Sequence, residues 1–394
     1  MAATPRTTPE TDGRNGRSGP GQDGQDTAEH QRLATSGAPD GPLSQSGPWN
    51  KWGPYLAERA WGTVREDYSA DGSAWDSFPH DHARSRAYRW NEDGMAGVCD
   101  VHQRLCLALA LWNGRDPILK ERMFGLTGSE GNHGEDAKDC WWYLDALPSH
   151  AWLRWRYHYP QQAFPYAGLV EENRRRGKAD PEYELLDTGV FEQGYWVVEA
   201  TYAKAGPDDL VLRVTVKNAG SAPDRLHVLP TLWFRNTWSW EPGAARPELH
   251  LEDGAVVAVH ETLGTYRLAP GAGPGGAPPV PLFCDNETNV PRLFGPDAAP
   301  GAPYPKDGIN DHVLTGAPTV NPAQRGTKAA LWFSADVAPG ETVELRLRLH
   351  AAGAPGATAD AAPEAILDAL GPGWAGEAAD GLLRQREAEA DAFY

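Results

Sequence analysis

Val343, Leu345, Leu347 and Leu349 alternate without a break with Glu344, Arg346 and Arg348. A period of two marks a strand with one face buried and one face wet, and no helix satisfies it, because helical faces recur every ~3.6 residues. The same alternation returns, in shorter or noisier form, at 195–202 (YWVVEATY), 210–217 (LVLRVTVK), 226–234 (LHVLPTLWF), 255–260, 265–268 and 329–334 (AALWFS). Gly, Pro, Asn and Asp separate these runs, as at Asn218-Ala219-Gly220. Many strands joined by turn signals predict a mainly β fold, an antiparallel β-sandwich. In it, the four apolar residues of 343–349 point inward and Arg346 faces water, so an acidic residue at 346 is expected to be neutral. The Gly/Pro-rich stretch 270–281 reads as an exposed loop.

Two regions read as helical. Residues 100–113 (DVHQRLCLALALWN) combine an acidic start with an apolar stripe through Leu105, Leu109 and Trp112. At the C-terminus, 363–370 reads as a short helix and 376–394 as a longer one, with Leu382, Leu383, Ala390 and Phe393 near helical spacing. That helix reaches Tyr394 with no Gly stop signal. It reads as the start of a linker helix, cut inside a connecting element, whose apolar face is left for a further domain.

Composition divides the chain. Residues 1–48 hold no Phe, Trp or Tyr but eight Gly and six Pro, which predicts a disordered tail that can be deleted without effect on stability. Ten of the sixteen tryptophans follow between Trp49 and Trp155. The expected organisation is a tail at 1–48, a β-sandwich domain at 49–350 and linker helices at 351–394.

Charge and cysteine usage narrow the function. Lys plus Arg number 36 against 54 Asp plus Glu, a net charge of −18, which repels nucleic acid and anionic membranes. The longest apolar run, 105–112, is far short of the roughly 20 residues of a membrane span, and the N-terminus lacks an apolar signal core, so a soluble cytoplasmic protein is expected. Cys99, Cys106, Cys140 and Cys284 form no Cys-x-x-Cys pair and read as reduced, buried thiols. No phosphate loop, dinucleotide fingerprint or nucleophile elbow is present, and no cofactor is expected.

Several polar clusters could carry chemistry. Asp67-Tyr68-Ser69-Ala70-Asp71-Gly72 matches half a calcium loop, but Phe78 stands where the closing Glu belongs. His80 and His82 lack a third ligand at convincing spacing, so no metal site is expected. Glu130, His133, Glu135 and Asp136 gather carboxylates and an imidazole in a Gly-flexed loop. Paired carboxylates are what acid–base hydrolysis of a glycosidic bond needs, although such clusters also serve as salt-bridge or capping sites. Trp141, Trp142, Tyr143, Trp152, Trp155, Tyr157 and Tyr159 could stack on sugars or fill a β core. The same holds for 231–240 (TLWFRNTWSW), where Arg235 and Asn236 need partners if buried.

The block 52–69 (WGPYLAERAWGTVREDYS) resembles the opening of the large bacterial members of glycoside hydrolase family 63, relatives of mannosyl-oligosaccharide glucosidase. The resemblance continues, in order, through 80–90 (HDHARSRAYRW), 124–136 (FGLTGSEGNHGED), 183–190 (YELLDTGV), 229–240 (LPTLWFRNTWSW), 287–289 (ETN) and 306–312 (KDGINDH). It implies an N-terminal sandwich of the supersandwich type, followed by a C-terminal (α/α)6 barrel that this chain lacks. It also implies inverting hydrolysis of α-glucosides or α-glycosyl small solutes, with two carboxyls about 6.5–9.5 Å apart, both on the barrel. No catalytic residue therefore carries over. Asp81, His82, Arg84, Arg86, Glu130, His133, Glu135 and Asp136 become candidates for a substrate-binding or barrel-facing surface. The implied partners are that barrel and, through the complete enzyme, a carbohydrate. The alternative is a stand-alone carbohydrate-binding or scaffold module.

Overall fold

Strand pairing organises the chain. The computed structural model describes residues 27–35, 47–56, 80–87, 94–122, 140–177, 179–240, 242–298, 301–352 and 371–394. The strands are β1 (Trp52–Gly53), β2 (Met95–Asp100), β3 (Leu105–Trp112), β4 (Trp141–Ala146), β5 (Trp152–Pro160), β6 (Tyr195–Gly206), β7 (Asp209–Asn218) and β8 (Asp224–Phe234). They continue with β9 (Glu248–Glu252), β10 (Ala255–His260), β11 (Gly264–Pro270), β12 (Val280–Cys284), β13 (Arg325–Gly326), β14 (Lys328–Val337) and β15 (Thr342–Ala351). Two antiparallel sheets result, a six-stranded one in the order β1-β2-β3-β8-β14-β12 and a nine-stranded one in the order β13-β9-β10-β11-β15-β7-β6-β5-β4. The fold is a β-sandwich, and each of the seven runs of alternating sequence lies within a strand.

The inner faces meet in one core. β15 contributes Leu345, Leu347 and Leu349, paired across the ladder with Val214, Leu212 and Leu210 of β7. Val343 packs on the edge of the same core and is only partly buried. From the opposite sheet come Leu105, Leu107, Leu109 and Leu111 of β3 with Val228 and Leu232 of β8. Pro230 lies in the central strand β8, where its missing N–H would break a ladder. There the β8–β14 pairing is interrupted between Thr231 and Val228.

The helix expected at 100–113 is not formed. Asp100 ends β2, a tight turn follows, and 105–112 is β3. Asp100 stabilises the turn by accepting from the backbone N–H groups of Arg104 (2.6 Å) and Leu105 (2.9 Å). Both faces of β3 are buried: its leucines enter the inter-sheet core, while Cys106 and Ala108 meet Leu56 and Trp233 on the far side. A strand buried on both faces shows a continuous apolar run with no alternation, which in sequence matches a buried helix. The aromatic stretch 141–159 is likewise strand, with Trp155, Tyr157 and Tyr159 of β5 in the core. The 270–281 loop is shorter than expected, because β12 begins at Val280; Pro281 is tolerated there on an edge strand.

The terminal helix (Glu377–Phe393) lies on the outer face of the nine-stranded sheet. Ala379, Leu382, Leu383 and Ala390 pack on Leu147, Trp152, Ala203, Ala205 and Val211. The apolar face expected to await a further domain is thus covered by the chain's own sheet. Beneath it sits Lys204, whose Nζ donates to the carbonyls of Trp49 (2.5 Å), Trp52 (2.5 Å) and Ser149 (3.2 Å). Burial pushes this amine down to about 7, against the pull of Glu29 and Asp208.

Part of the expected tail is docked. Residues 28–34 form a helix (Ala28–Ala34), and Glu29 is 0% exposed. Its carboxylate accepts from Ser149 N (2.6 Å), Ser149 Oγ (2.7 Å) and Arg32 (3.1 Å), and Arg32 also pairs with Glu389 of the terminal helix. The anchor is a buried ion network, which a count of aromatic residues does not register. Deleting 1–48 should therefore lower the melting temperature by about 5 °C, because Ser149 loses Glu29 and Glu389 loses Arg32, buried partners worth about 2 kcal/mol. Thermal unfolding of the truncated chain checks this, and a shift below about 2 °C would mean the helix contributes nothing. All four cysteines are buried thiols. Among the described residues no helix is long and apolar enough to cross a membrane.

Candidate functional site

The outer face of the six-stranded sheet carries a belt of buried polar side chains. Its floor is set by strand register, since paired residues share a face. Cys106 of β3 pairs with Trp233 of β8, Trp233 with Lys328 of β14, and Lys328 with Cys284 of β12. Lys328 Nζ reaches Glu121 Oε2 at 3.1 Å, both side chains being buried. Glu121 also meets Arg122 at 3.3 Å. Burial pushes the Cys284 thiol up to about 12, which removes it as a nucleophile near neutral pH.

Asp307 forms the centre of the belt and is 1% exposed. It stands just before the helix Gly308–Thr315, which covers this face of the sheet through Ile309 and Val313. Its carboxylate accepts from Ser85 Oγ (2.6 Å), from Asn289 Nδ2 (3.0 Å to each oxygen) and from Arg292 Nη1 (2.7 Å). Burial works against the Arg292 charge, but the carboxylates of Asp307 and Asp311 outweigh it and hold its pKa above the ordinary value. Neighbouring Lys306 sends its ammonium to the carbonyls of Arg86 (2.6 Å) and Ala83 (3.4 Å).

These contacts fix the segment 80–87 from beneath. Asn289 N donates to Ser85 O at 2.8 Å and Ala87 N to Thr288 Oγ1 at 3.1 Å, so the segment is pinned at both backbone and side chain. Of the sequence candidates, Asp81 projects outward and lies 3.6 Å from Arg84. His82 is half-buried in the short helix His80–Ala83, and Arg86 lies over the Phe294 ring at 5.9 Å. Asp81, His82, Arg84 and Arg86 therefore come together as one anchored segment, not as a convergent catalytic group. Glu130, His133, Glu135 and Asp136 lie outside the described residues, as does the Asp67–Gly72 loop.

Two clefts border the belt. One, of about 810 Å³, runs between His80-Asp81 and the helix Tyr166–Arg175, lined by Tyr166, Val170, Arg174 and Arg175. His80 rests on the Tyr166 ring at 4.8 Å and forms its inner wall. The other, of about 260 Å³, is lined by Arg246, Glu248, Asp285, Asn321, Arg325 and Thr327. Arg246 bridges Asp285 (2.7 Å) and Glu287 (3.2 Å), and Trp238 Nε1 donates to Glu287 at 3.3 Å. Asn236 finds its partner in the Asn286 carbonyl (2.6 Å), and Arg235 stacks at 4.9 Å on Trp240, an exposed indole.

This arrangement can bind and position. Asp307, Asp285, Glu287 and Glu121 all receive Arg or Lys donors from the protein, which ties down carboxylates that an acid–base pair would need free. Among the described residues no three His, Cys, Asp or Glu side chains gather as a metal site. Sequence reasoning missed Ser85, Glu121, Lys306, Asp307 and Lys328. The signal for three of them was present, because Ser85 lies inside the block 80–90 and Lys306 and Asp307 open the block 306–312. The block 80–90 meets the blocks 287–289 and 306–312, some 200 residues further along the chain, around one carboxylate.

Comparison with known proteins adds a relative. No family model matches the chain. An uncharacterized protein of Saccharomyces cerevisiae, YMR196W, is 39% identical over 334 residues, which cover 76% of this chain. The match takes in 31% of the yeast protein, so the chain spans about a third of the length of the curated relative it matches. A solved structure of a candidate aldose 1-epimerase from Escherichia coli K12 aligns with 58% of this chain and 75% of its own, at 10% identity and a TM-score of 0.23. Similarity that low carries no argument, and the sandwich assignment stands on the two sheets themselves.

Proposed function

We propose that this chain is the N-terminal β-sandwich of a longer inverting α-glycosidase acting on α-glucosides or α-glycosyl small solutes. Its role there is to position, and the acid and base belong to a further (α/α)6 domain. The carrying observation is the convergence on Asp307. The blocks 80–90, 287–289 and 306–312, each quoted for the likeness to glycoside hydrolase family 63, form one hydrogen-bonded unit. The yeast relative supports the reading by its length, since more than two thirds of it lies beyond the match.

The anchored segment 80–87 and the adjoining cleft supply a rigid, hydroxyl-compatible wall, which suits an interdomain sugar site. A wall of this kind orders substrate for an acid and base held elsewhere, and the gain is one of orientation. The test uses the full-length yeast relative with aryl α-glucosides and α-glucosyl glycerate, following the product anomer by NMR. Release of β-glucose first is the expected result, because water attacks opposite the leaving group. Release of α-glucose, or no turnover on any α-glycoside, contradicts the reading.

A further inference from the structure

The terminal helix covers only one end of the outer face of the nine-stranded sheet. Past Arg154, along β4 and β5 toward Trp142 and His158, that face carries a different kind of surface. Trp142 of β4 pairs with Arg156 of β5, and Arg156 with Glu199 of β6, so the three side chains stand in a row on one face. His158 lies two residues along the same face of β5 and meets the Trp142 indole edge-on at 4.6 Å. Tyr195 backs the His158 ring at 5.0 Å, and Phe191 backs Tyr195 at 5.9 Å. Glu199 is held by Arg154 (2.9 Å) and Arg156 (2.7 Å), one guanidinium on each oxygen.

This cluster is rigid and still open. Trp142 keeps 41% of its surface exposed although its neighbours fix the ring. Burial and the Arg156 charge hold the His158 ring below its ordinary pKa, so at neutral pH it offers one donor and one acceptor. Burial pulls Glu199 the other way, but the two arginines prevail and keep it below the usual carboxylate range, as an acceptor.

We propose that Trp142, His158, Arg156 and Glu199 form a non-catalytic carbohydrate site that takes one hexopyranose ring. A pyranose presents an apolar C–H face, which stacks on an exposed indole, beside a rim of vicinal hydroxyls. Those hydroxyls match a planar guanidinium, a carboxylate and a neutral imidazole set side by side. Glu199 and Glu387, the latter 3.9 Å from Arg154, together balance the two arginines, which disfavours a strongly ionic ligand. The site uses no residue of the Asp307 belt, so it stands or falls apart from the glycosidase reading.

The test is a titration of the 394-residue chain with methyl α-D-glucopyranoside, maltotriose, methyl α-D-mannopyranoside and galactose, watching the tryptophan indole N–H signals by NMR. The Trp142 signal, assigned by its loss in Trp142→Phe, should move saturably with at least one sugar at a Kd of about 1–10 mM, the weak range of a shallow one-ring site. Trp142→Ala and Arg156→Ala should each weaken that sugar about tenfold or more with the thermal transition unchanged, whereas Val259→Ala, at an exposed apolar residue of β10, should not. Saturable binding that survives Trp142→Ala, or no saturable movement with any of the four up to about 50 mM, overturns the proposal. Movement of the Trp142 signal with protein concentration alone also overturns it, since the strip is then a contact between copies.

Discussion

Leu347→Asp should leave the chain without a cooperative unfolding transition. Leu347 lies mid-strand in β15, is 0% exposed, and faces Leu212 of β7 and Pro270 of β11 across its two ladders. The substitution forfeits about 2 kcal/mol of apolar burial and forces an unpaired carboxylate between the sheets, at a cost of several kcal/mol more. A domain stabilised by roughly 5–15 kcal/mol does not absorb both. Circular dichroism and calorimetry of the variant check this. A soluble variant that melts within a few degrees of the parent would place Leu347 on the other face and shift the β15 register by one residue.

Arg346→Asp should cost about 3 kcal/mol, although the alternation alone marks Arg346 as a freely replaceable surface residue. Its side chain is 16% exposed. The guanidinium donates to the carbonyls of Ala375 (2.6 Å) and Gly376 (2.9 Å), to Asp380 (2.5 Å) and to Glu344. It therefore ties the sheet to the first turn of the terminal helix. An Asp at this position loses those bonds and faces two carboxylates. A melting temperature lower by about 8 °C is expected, with part of the loss recovered in the double variant Arg346→Asp, Asp380→Arg. A neutral result would show that the terminal helix is held without this contact.

The contrast between Leu347 and Arg346 shows how far the sequence can be read. Alternation reports which face of a strand is apolar, and seven strands were legible from it, whereas β5, with Arg154, Arg156 and His158 on its wet face, and the short β9 were not. What covers the other face is set by elements distant in sequence. β3 was misread because both of its faces are covered, which erases the period. The terminal helix was legible from its spacing, but its docking on Trp152 and Ala203 was not, and the exposure expected of Leu382 and Leu383 does not occur. The docked helix Ala28–Ala34 escaped because its anchor, Glu29 to Ser149, spans 120 residues and uses charge in place of apolar area.

The candidate site follows the same rule. The polar block 80–86 was visible as a density of charge, and Asp81, His82, Arg84 and Arg86 were named for it. Its structural anchor is Ser85, 222 residues from Asp307 and the least conspicuous member of the block. A buried hydroxyl–carboxylate pair leaves no local pattern, so only the ordered series of blocks pointed to it.

The proposed division of labour, in which this chain positions and a further domain cleaves, is decided by assaying the purified 394-residue chain on aryl and natural α-glucosides. A folded protein with no turnover is the expected result, because inversion needs two opposed carboxyls across a sugar-sized gap of about 6.5–9.5 Å. Turnover that persists after removal of contaminating glucosidase and disappears in Glu135→Gln would contradict it and put the acid–base machinery in this domain.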